Sequence, residues 1–247
     1  WGKTSLFFKQ AKKDFGIELK SFDQKHPFIQ DVAATLQHIF IEKTLQKLEK
    51  LAEKSGAETL YYTGGSALNI VANTRIIESR IFKEVFIPPC TEDSGLALGA
   101  AAFAEWKKHG TVKTHSPYLN NWGIENYKTN YTSDSIQKAA ELLAAGKVIG
   151  VCNGFGEAGP RALGNRSILA RADSKTLAQE ISMKKKGREW YRPLAPVALE
   201  KNTRYFTGLS AIHPLSEFML VDFSVLVEQQ KELAGALHAD GTARFQT

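Results

Sequence analysis

Between Phe28 and Lys54 the apolar residues Ile29, Val32, Leu36, Ile39, Phe40, Leu45, Leu48 and Leu51 recur mostly at spacings of three and four, with Lys and Glu between them. That period predicts one long amphipathic helix, which Gly56 stops. Thr59-Leu60-Tyr61-Tyr62 then reads as a buried strand running into the turn Thr63-Gly64-Gly65-Ser66. A second helix is expected over about 67–79. Glu84-Val85-Phe86-Ile87 is a short strand closed by Pro88-Pro89, and 94–108 is a helix rich in Ala and Gly. Strand, turn, helix, strand, loop, helix predicts an α/β layer architecture.

The periodicity fails between His109 and Ser135, where His115-Ser116-Pro117-Tyr118-Leu119-Asn120-Asn121-Trp122-Gly123 is polar and turn-rich. This stretch reads as a linker between two domains, placing the boundaries at 1–113, 114–134 and 135–247. Beyond it, 136–145 is helical and 147–152 a strand. A helix is expected over 174–185, capped by Ser174 or Asp173 and ending in basic residues. The segments 193–199, 218–223 and 242–246 are strand candidates. The sequence shows neither internal repeats nor a low-complexity tract.

Of the 247 residues 43% are hydrophobic and 23% charged, a globular composition that excludes a disordered chain, a coiled coil and a disulfide-stapled miniprotein. The two cysteines, Cys90 and Cys152, form no C-x-x-C pair. No run approaches the length of a membrane span, and the first thirty residues lack the plan of a signal peptide. A reducing, cytoplasmic location without membrane contact is therefore expected. The chain starts at Trp1 and its first methionine is Met183, so upstream sequence is expected to be missing. The formal charge of +6 is local: residues 161–204 hold 11 Lys and Arg against 4 Asp and Glu, a net of +7, which leaves −1 for the remainder. An anionic partner is expected for that segment.

Four segments carry candidate chemistry. The Gly64-Gly65 turn is by itself most often a plain structural turn, but two glycines let backbone N–H groups approach a ligand, and the helix start after it favours an anion or a nucleotide. Thr91-Glu92-Asp93-Ser94-Gly95 lies at the next strand-to-helix junction, so Asp93 either projects from the same carboxyl edge of the sheet or merely caps the helix. Gly154 to Ser167 combines four glycines with Arg161 and Arg166, whose guanidinium forks suit phosphate or carboxylate; the alternative is a surface loop with solvated arginines. Lys184-Lys185-Lys186-Gly187-Arg188-Glu189-Trp190-Tyr191-Arg192 interleaves basic and aromatic residues, as a nucleic-acid clamp, a phosphate site or a solvated helix end would. The turn His238-Ala239-Asp240-Gly241-Thr242-Ala243-Arg244 is either a simple hairpin or a further anion contact. Gly2-Lys3-Thr4-Ser5 echoes a phosphate loop without its glycine and strand, and the histidines lack metal-pair spacing.

Taken in order, Gly64 to Asn69, Glu92-Asp93-Ser94-Gly95 with Ala97-Leu98-Gly99-Ala100-Ala101, Gly159-Pro160-Arg161-Ala162-Leu163-Gly164-Asn165-Arg166-Ser167, Arg192-Pro193-Leu194-Ala195-Pro196 and the closing 238–244 turn resemble the nodulation-type and antibiotic O-carbamoyltransferases. The resemblance runs from about Tyr61 to the end. It implies an α/β chain holding part of an actin-like (ASKHA) ATPase-fold domain, similar to that of the tRNA threonylcarbamoyl transferase, followed by a YrdC-like domain. In that family carbamoyl phosphate and ATP give carbamoyladenylate in the YrdC-like domain, and the other domain passes the carbamoyl group to a small-molecule hydroxyl with iron bound.

Carried over residue by residue, the resemblance implies catalytic roles for Arg161, Arg166 and Arg192. It places Ser167, Arg188 and Arg244 on carbamoyl phosphate or ATP, Gly64, Gly65 and Asn69 on the adenylate, and Asp93 on Fe2+. Cations are what holding two polyanions in line requires. Mg2+ and a homodimer are further expectations, and nucleic acid is not expected as a partner. The family's H-x-x-x-H pair has no match here, and Arg171-Ala172-Asp173 stands where Asp-Pro-Arg is usual, leaving Arg171 outside the site. A tRNA-modifying enzyme and a non-catalytic nucleotide- or RNA-binding module remain the alternatives.

Overall fold

The computed structural model describes residues 2–113, 116–120 and 132–247. They divide into two units, Trp1–Ser55 and Gly56–Thr247. In the first, α1 (Gly2–Phe15) and α2 (Pro27–Ser55) are joined by a short connection. Ala11 and Phe8 of α1, Ile17 and Leu19 of the connection and Phe28 and Ile29 of α2 make its core. The Phe7 and Phe15 rings lie 6.3 and 5.4 Å from that of Phe28. The period over 28–54 is thus one continuous helix, and Gly2-Lys3-Thr4-Ser5 is the start of α1 rather than a loop.

The second unit begins with β1 (Thr59–Tyr61), a 3-10 turn over Gly65–Leu68, α3 (Ile70–Ser79), β2 (Glu84–Phe86) and α4 (Gly95–His109). β1 and β2 pair in parallel, Leu60 opposite Val85. β1 is not the buried strand expected of it: Leu60 points inward, but Tyr61 is 77% exposed. Its side chains alternate between two faces, and only one is covered.

Then follow β3 (Tyr118–Asn120), α5 (Ser133–Ala144), β4 (Ile149–Cys152), β5 (Gly156–Glu157), β6 (Arg166–Leu169), α6 (Lys175–Glu180), α7 (Glu200–Thr207), β7 (Phe223–Ser224) and β8 (Thr242–Ala243). The stretch read as a linker holds β3, which pairs antiparallel with β5; its residues 114–115 and 121–131 lie outside those described. Thr132 and Ser135 form a reciprocal capping box at the start of α5. β4 pairs antiparallel with β6 from Ile149↔Leu169 to Cys152↔Arg166. Ser174 caps α6 by accepting from the Leu177 amide at 3.2 Å, and the helix runs into a π turn at Ile181–Lys185.

Two of the strand candidates are corrected. Segment 193–199 contributes only the bridge Val197↔Gln246, because Pro193 and Pro196 remove ladder donors. In 218–223, Phe218 ends a 3-10 turn (Pro214–Phe218) and Met219 sits at φ +55, so extended backbone starts only at Phe223. The 242–246 segment pairs as β8 and through the bridge at Gln246.

The core of this unit gathers Ala67 and Ile87 with Leu215, Leu220, Val221, Phe223, Val225, Leu233, Ala243 and Phe245. It therefore draws on chain from both sides of residues 114–134. Fully buried Asn73 ties the two stretches together, its Nδ2 donating to the carbonyls of Ala67 and Leu220 at 2.8 Å each. The fold is mixed α/β, and among the described residues no helix is long and apolar enough to cross a membrane.

Candidate functional site

The turns after β1 and β2 meet at the carboxyl edge of their parallel pair. The Gly64 amide donates to the Thr91 carbonyl at 2.8 Å, and the hydroxyl of buried Thr91 donates to that of Thr63 at 3.1 Å. Gly64 takes φ +94, a conformation side chains avoid, and nothing lies within 4 Å of where a Cβ on Gly64 or Gly65 would sit. This surface is open to a ligand. Asn69 is the N-cap of α3, its Oδ1 accepting from the Ala72 amide at 3.1 Å. At the neighbouring turn Glu92, not Asp93, receives the Ser94 amide at 2.8 Å and also its hydroxyl. Those bonds are what hold the Glu92 carboxyl below its usual pKa. Asp93 is exposed, and its side chain does not cap α4. No group of three or more His, Cys, Asp or Glu side chains able to hold a metal occurs among the described residues, so these residues do not by themselves complete an iron or magnesium centre at Asp93, where further ligands would have to join it.

The Gly154 to Ser167 loop is organised by a residue that sequence reasoning left out. Glu157 Oε1 accepts from the amides of Leu163 at 2.7 Å, Asn165 at 2.8 Å and Arg166 at 3.1 Å. Burial works against its charge, but these bonds outweigh it and hold the carboxyl below the ordinary range. The Leu163 carbonyl accepts from the Tyr118 hydroxyl at 3.0 Å and Gln246 Nε2 at 2.8 Å. Gly159, at φ +111, packs against Pro89 so closely that a Cβ there would lie 2.6 Å from the Pro89 carbonyl oxygen. Arg166 is turned into the loop, donating to the carbonyls of Asn153 at 2.7 Å, Asn165 at 2.8 Å and Gly154 at 3.0 Å. Ser167 Oγ accepts from the Gly164 amide at 3.0 Å. Both residues shape the loop in this structure.

Arg161 reaches from this loop to the first turn. It donates to the Leu68 carbonyl at 3.1 Å and the Phe218 carbonyl at 3.4 Å. Burial first, and then the charge of Arg244, push its pKa down to about 10. Burial also lowers Arg244, with Arg188 adding repulsion, and lowers Arg188, with Arg192 adding repulsion. Lys186, absent from the sequence-derived set, is lowered by desolvation and then by Arg188 and Arg244. Arg161, Arg244, Arg188, Arg192 and Lys186 are thus linked pairwise by mutual repulsion and in that sense form one cationic group. Only Arg192 has a carboxylate partner among the described residues, Glu189 at 2.8 Å. Arg188 Nε and Nη2 and Arg244 Nε are buried with no hydrogen-bond partner among those residues. Buried guanidinium nitrogens are costly to leave unpaired, and an anion or a neutral oxygen acceptor can complete them. Lys184 instead pairs with Glu180 at 3.6 Å on the surface, and Arg171 is held by Asp173, with Nε to Oδ1 at 2.6 Å.

His238 belongs to the same closing turn as Arg244, whose charge is the smallest of the influences on its pKa. Its Nδ1 is 2.8 Å from Thr242 Oγ1, and its Nε2 is buried and unpartnered among the described residues. Burial is the main reason its pKa lies below the ordinary histidine value.

Two family models match the chain, one described as carbamoyltransferase N-terminus over residues 3–102 and the other as carbamoyltransferase C-terminus over residues 140–247. The first span contains the Gly64 turn and Asp93, the second the whole cationic group. Nodulation protein NolNO of Sinorhizobium fredii is 36% identical over 245 residues, covering 92% of this chain and 35% of that protein. Nodulation protein NolO of Bradyrhizobium diazoefficiens is 34% identical over 245 residues, covering 92% of this chain and 44% of that protein. Nodulation protein U of Sinorhizobium fredii is 32% identical over 228 residues, covering 88% and 40%. The chain thus spans about two fifths of the length of these relatives. With both regions matched in order, and with relatives aligned along nearly all of it, the chain belongs to the carbamoyltransferase family.

Proposed function

We propose that this chain carries the carbamoyladenylate-forming site of an O-carbamoyltransferase whose final acceptor is a small-molecule hydroxyl. Arg161, Arg188, Arg192 and Arg244, with Lys186 at the edge, bind the phosphates of carbamoyl phosphate and ATP. Gly64, Gly65 and Asn69 receive the adenylate at the open turn that Arg161 touches through Leu68. Atom balance sets the overall step: carbamoyl phosphate, ATP and one water give carbamoyladenylate, pyrophosphate and inorganic phosphate. Fixed cations lower the barrier by neutralising charge as it develops on the phosphates, without reorganising as water must. Arg166 and Ser167 act on the loop that presents Arg161. The reading assigns residues 1–113 to part of an actin-like domain, 114–134 to a linker and 135–247 to a YrdC-like domain, in a cytoplasmic protein.

The observation that supports this most is the buried, unpartnered nitrogen set of Arg188 and Arg244 within a group of cations short of carboxylates. Such a cluster opposes folding unless an anion repays it. The assay is pyrophosphate release from ATP by the 247-residue chain. Release is expected with carbamoyl phosphate and absent with inorganic phosphate. It should fall about a hundredfold or more in Arg244→Met, the scale of removing one preorganised charge-stabilising donor. No release from a chain with intact circular dichroism, at saturating ligand, overturns the reading. RNA affinity that declines with salt in place of that activity would support a nucleic-acid module instead.

A further inference from the structure

The cationic group supplies only donors. Guanidinium and ammonium groups satisfy phosphate and carbonyl oxygens but cannot accept a hydrogen bond. Carbamoyl phosphate also carries an amino group, and burying that group requires an acceptor. The turn at 238–244 offers one. Ala243 and Phe245 are fully buried, so alternation along the chain places Thr242 and Arg244 together on the opposite face. The Thr242 hydroxyl has a single proton, and it goes to Asp240 Oδ1 at 2.8 Å; the same oxygen accepts the Thr242 amide at 3.0 Å. Burial opposes the charge on Asp240, but these bonds prevail and keep its carboxyl below the ordinary range, so it only accepts.

Thr242 Oγ1 therefore accepts from His238, and the contact at 2.8 Å fixes the imidazole proton on Nδ1. Nε2 is left with its lone pair. It is buried and has no partner among the described residues, beside Arg244 with its own unpartnered Nε. A ligand that completes both must accept from a guanidinium and donate to an imidazole.

We propose that His238 Nε2 accepts a hydrogen bond from the carbamoyl amino group, making His238 the residue that selects carbamoyl phosphate over acyl phosphates whose acyl group has no N–H. The inference rests on the carbamoyl phosphate site proposed above and deepens it. Asp240 and Thr242 act through His238 as positioning residues. Acetyl phosphate is the discriminating probe, because a methyl stands where the amino group would and leaves Nε2 buried and unpaired.

The test is calorimetric binding of carbamoyl phosphate and acetyl phosphate to the 247-residue chain. Carbamoyl phosphate is expected to bind roughly tenfold or more tighter, the scale of one buried acceptor left unmade. In His238→Leu the ratio should collapse to within about twofold, and in His238→Gln, whose amide oxygen can accept, part of it should return. Thr242→Val, which releases the tautomer, should narrow it too. Nitrogen NMR of 15N-histidine-labelled chain gives an independent reading: Nε2 unprotonated in the free protein, and shifted by carbamoyl phosphate but not by acetyl phosphate. Equal binding of the two probes by the wild-type chain overturns the role of His238 and leaves the carbamoyl phosphate site standing. So does a His238→Leu variant that keeps the full preference, or one whose loss falls on ATP alone. Binding of neither probe by folded wild-type chain sinks the site itself.

Discussion

Replacing Glu157 tests whether one carboxylate holds the loop that presents Arg161. Its Oε1 takes three backbone amides within 2.7–3.1 Å, of which that of Leu163 belongs to a buried residue and those of Asn165 and Arg166 to half-buried ones. A bond to a charged acceptor contributes about 1.5–3 kcal/mol against about 0.5–1.5 for a neutral one, and less where water reaches the pair. Glu157→Gln keeps an acceptor but loses the charge, and should cost about 1–2 kcal/mol of local stability; Glu157→Ala leaves the buried amide unpaired and should cost about 2–4 kcal/mol. The readout is amide hydrogen exchange at Leu163, Asn165 and Arg166, which reports loop opening without assuming that the whole chain unfolds in one step. The same contribution depends on pH with a definite sign. Because the folded pKa of Glu157 is depressed, its stabilisation is complete above the unfolded value of about 4.3 and is lost as pH falls through the lower folded value. Protection at those three amides that survives both Glu157→Ala and a fall from pH 7 to 3 would refute the reasoning.

Two further substitutions probe how the ends of the second unit are joined. Asn73→Ala strips two buried carbonyls, of Ala67 and Leu220, of their 2.8 Å donor and should lower stability in urea by about 2–4 kcal/mol. Asn73→Asp should do worse, since a carboxylate cannot donate to either, and a midpoint within error of wild type would show the bridge to be dispensable. Gly159→Ala combines φ +111 with a methyl 2.6 Å from the Pro89 carbonyl, and should cost about 2 kcal/mol or more. If it melts with the wild-type midpoint, the packing of this loop on Pro89 is looser than described.

The long helix and the first strand–turn–helix were legible because local rules act on neighbouring residues. The three- and four-residue period over 28–54 and Ser174 at the head of α6 each form within one or two turns of chain, although α3 starts at Ile70 rather than near 67, behind an Asn69 cap that was not foreseen. The cation segment was legible by composition. What failed did so where partners lie far apart in sequence or where a proline removed a donor. β3 was hidden in a stretch without period because its pairing partner, β5, begins more than thirty residues later. α1 was not singled out because its apolar Phe7, Phe8 and Ala11 find their core only across the connection to Ile17, Leu19, Phe28 and Ile29. Glu157 looked like one acidic residue among glycines, since a carboxylate that collects three amides has no pattern of its own.

By itself the sequence determined the α/β character, the positive stretch at 161–204 and the ordered motifs that mark the family, all properties of composition and short-range spacing. Tertiary structure alone decided which arginines belong together. Arg166 sits in the same motif as Arg161 yet is spent on three loop carbonyls, while Arg161 crosses to Leu68 and Phe218. Arg188 and Arg244, more than fifty residues apart, repel each other, each with buried guanidinium nitrogens that no described residue pairs, and Glu189 only partly offsets the charge at Arg188. The reason is physical: a guanidinium's role depends on which acceptors surround it once water is excluded, and only the folded chain sets those surroundings.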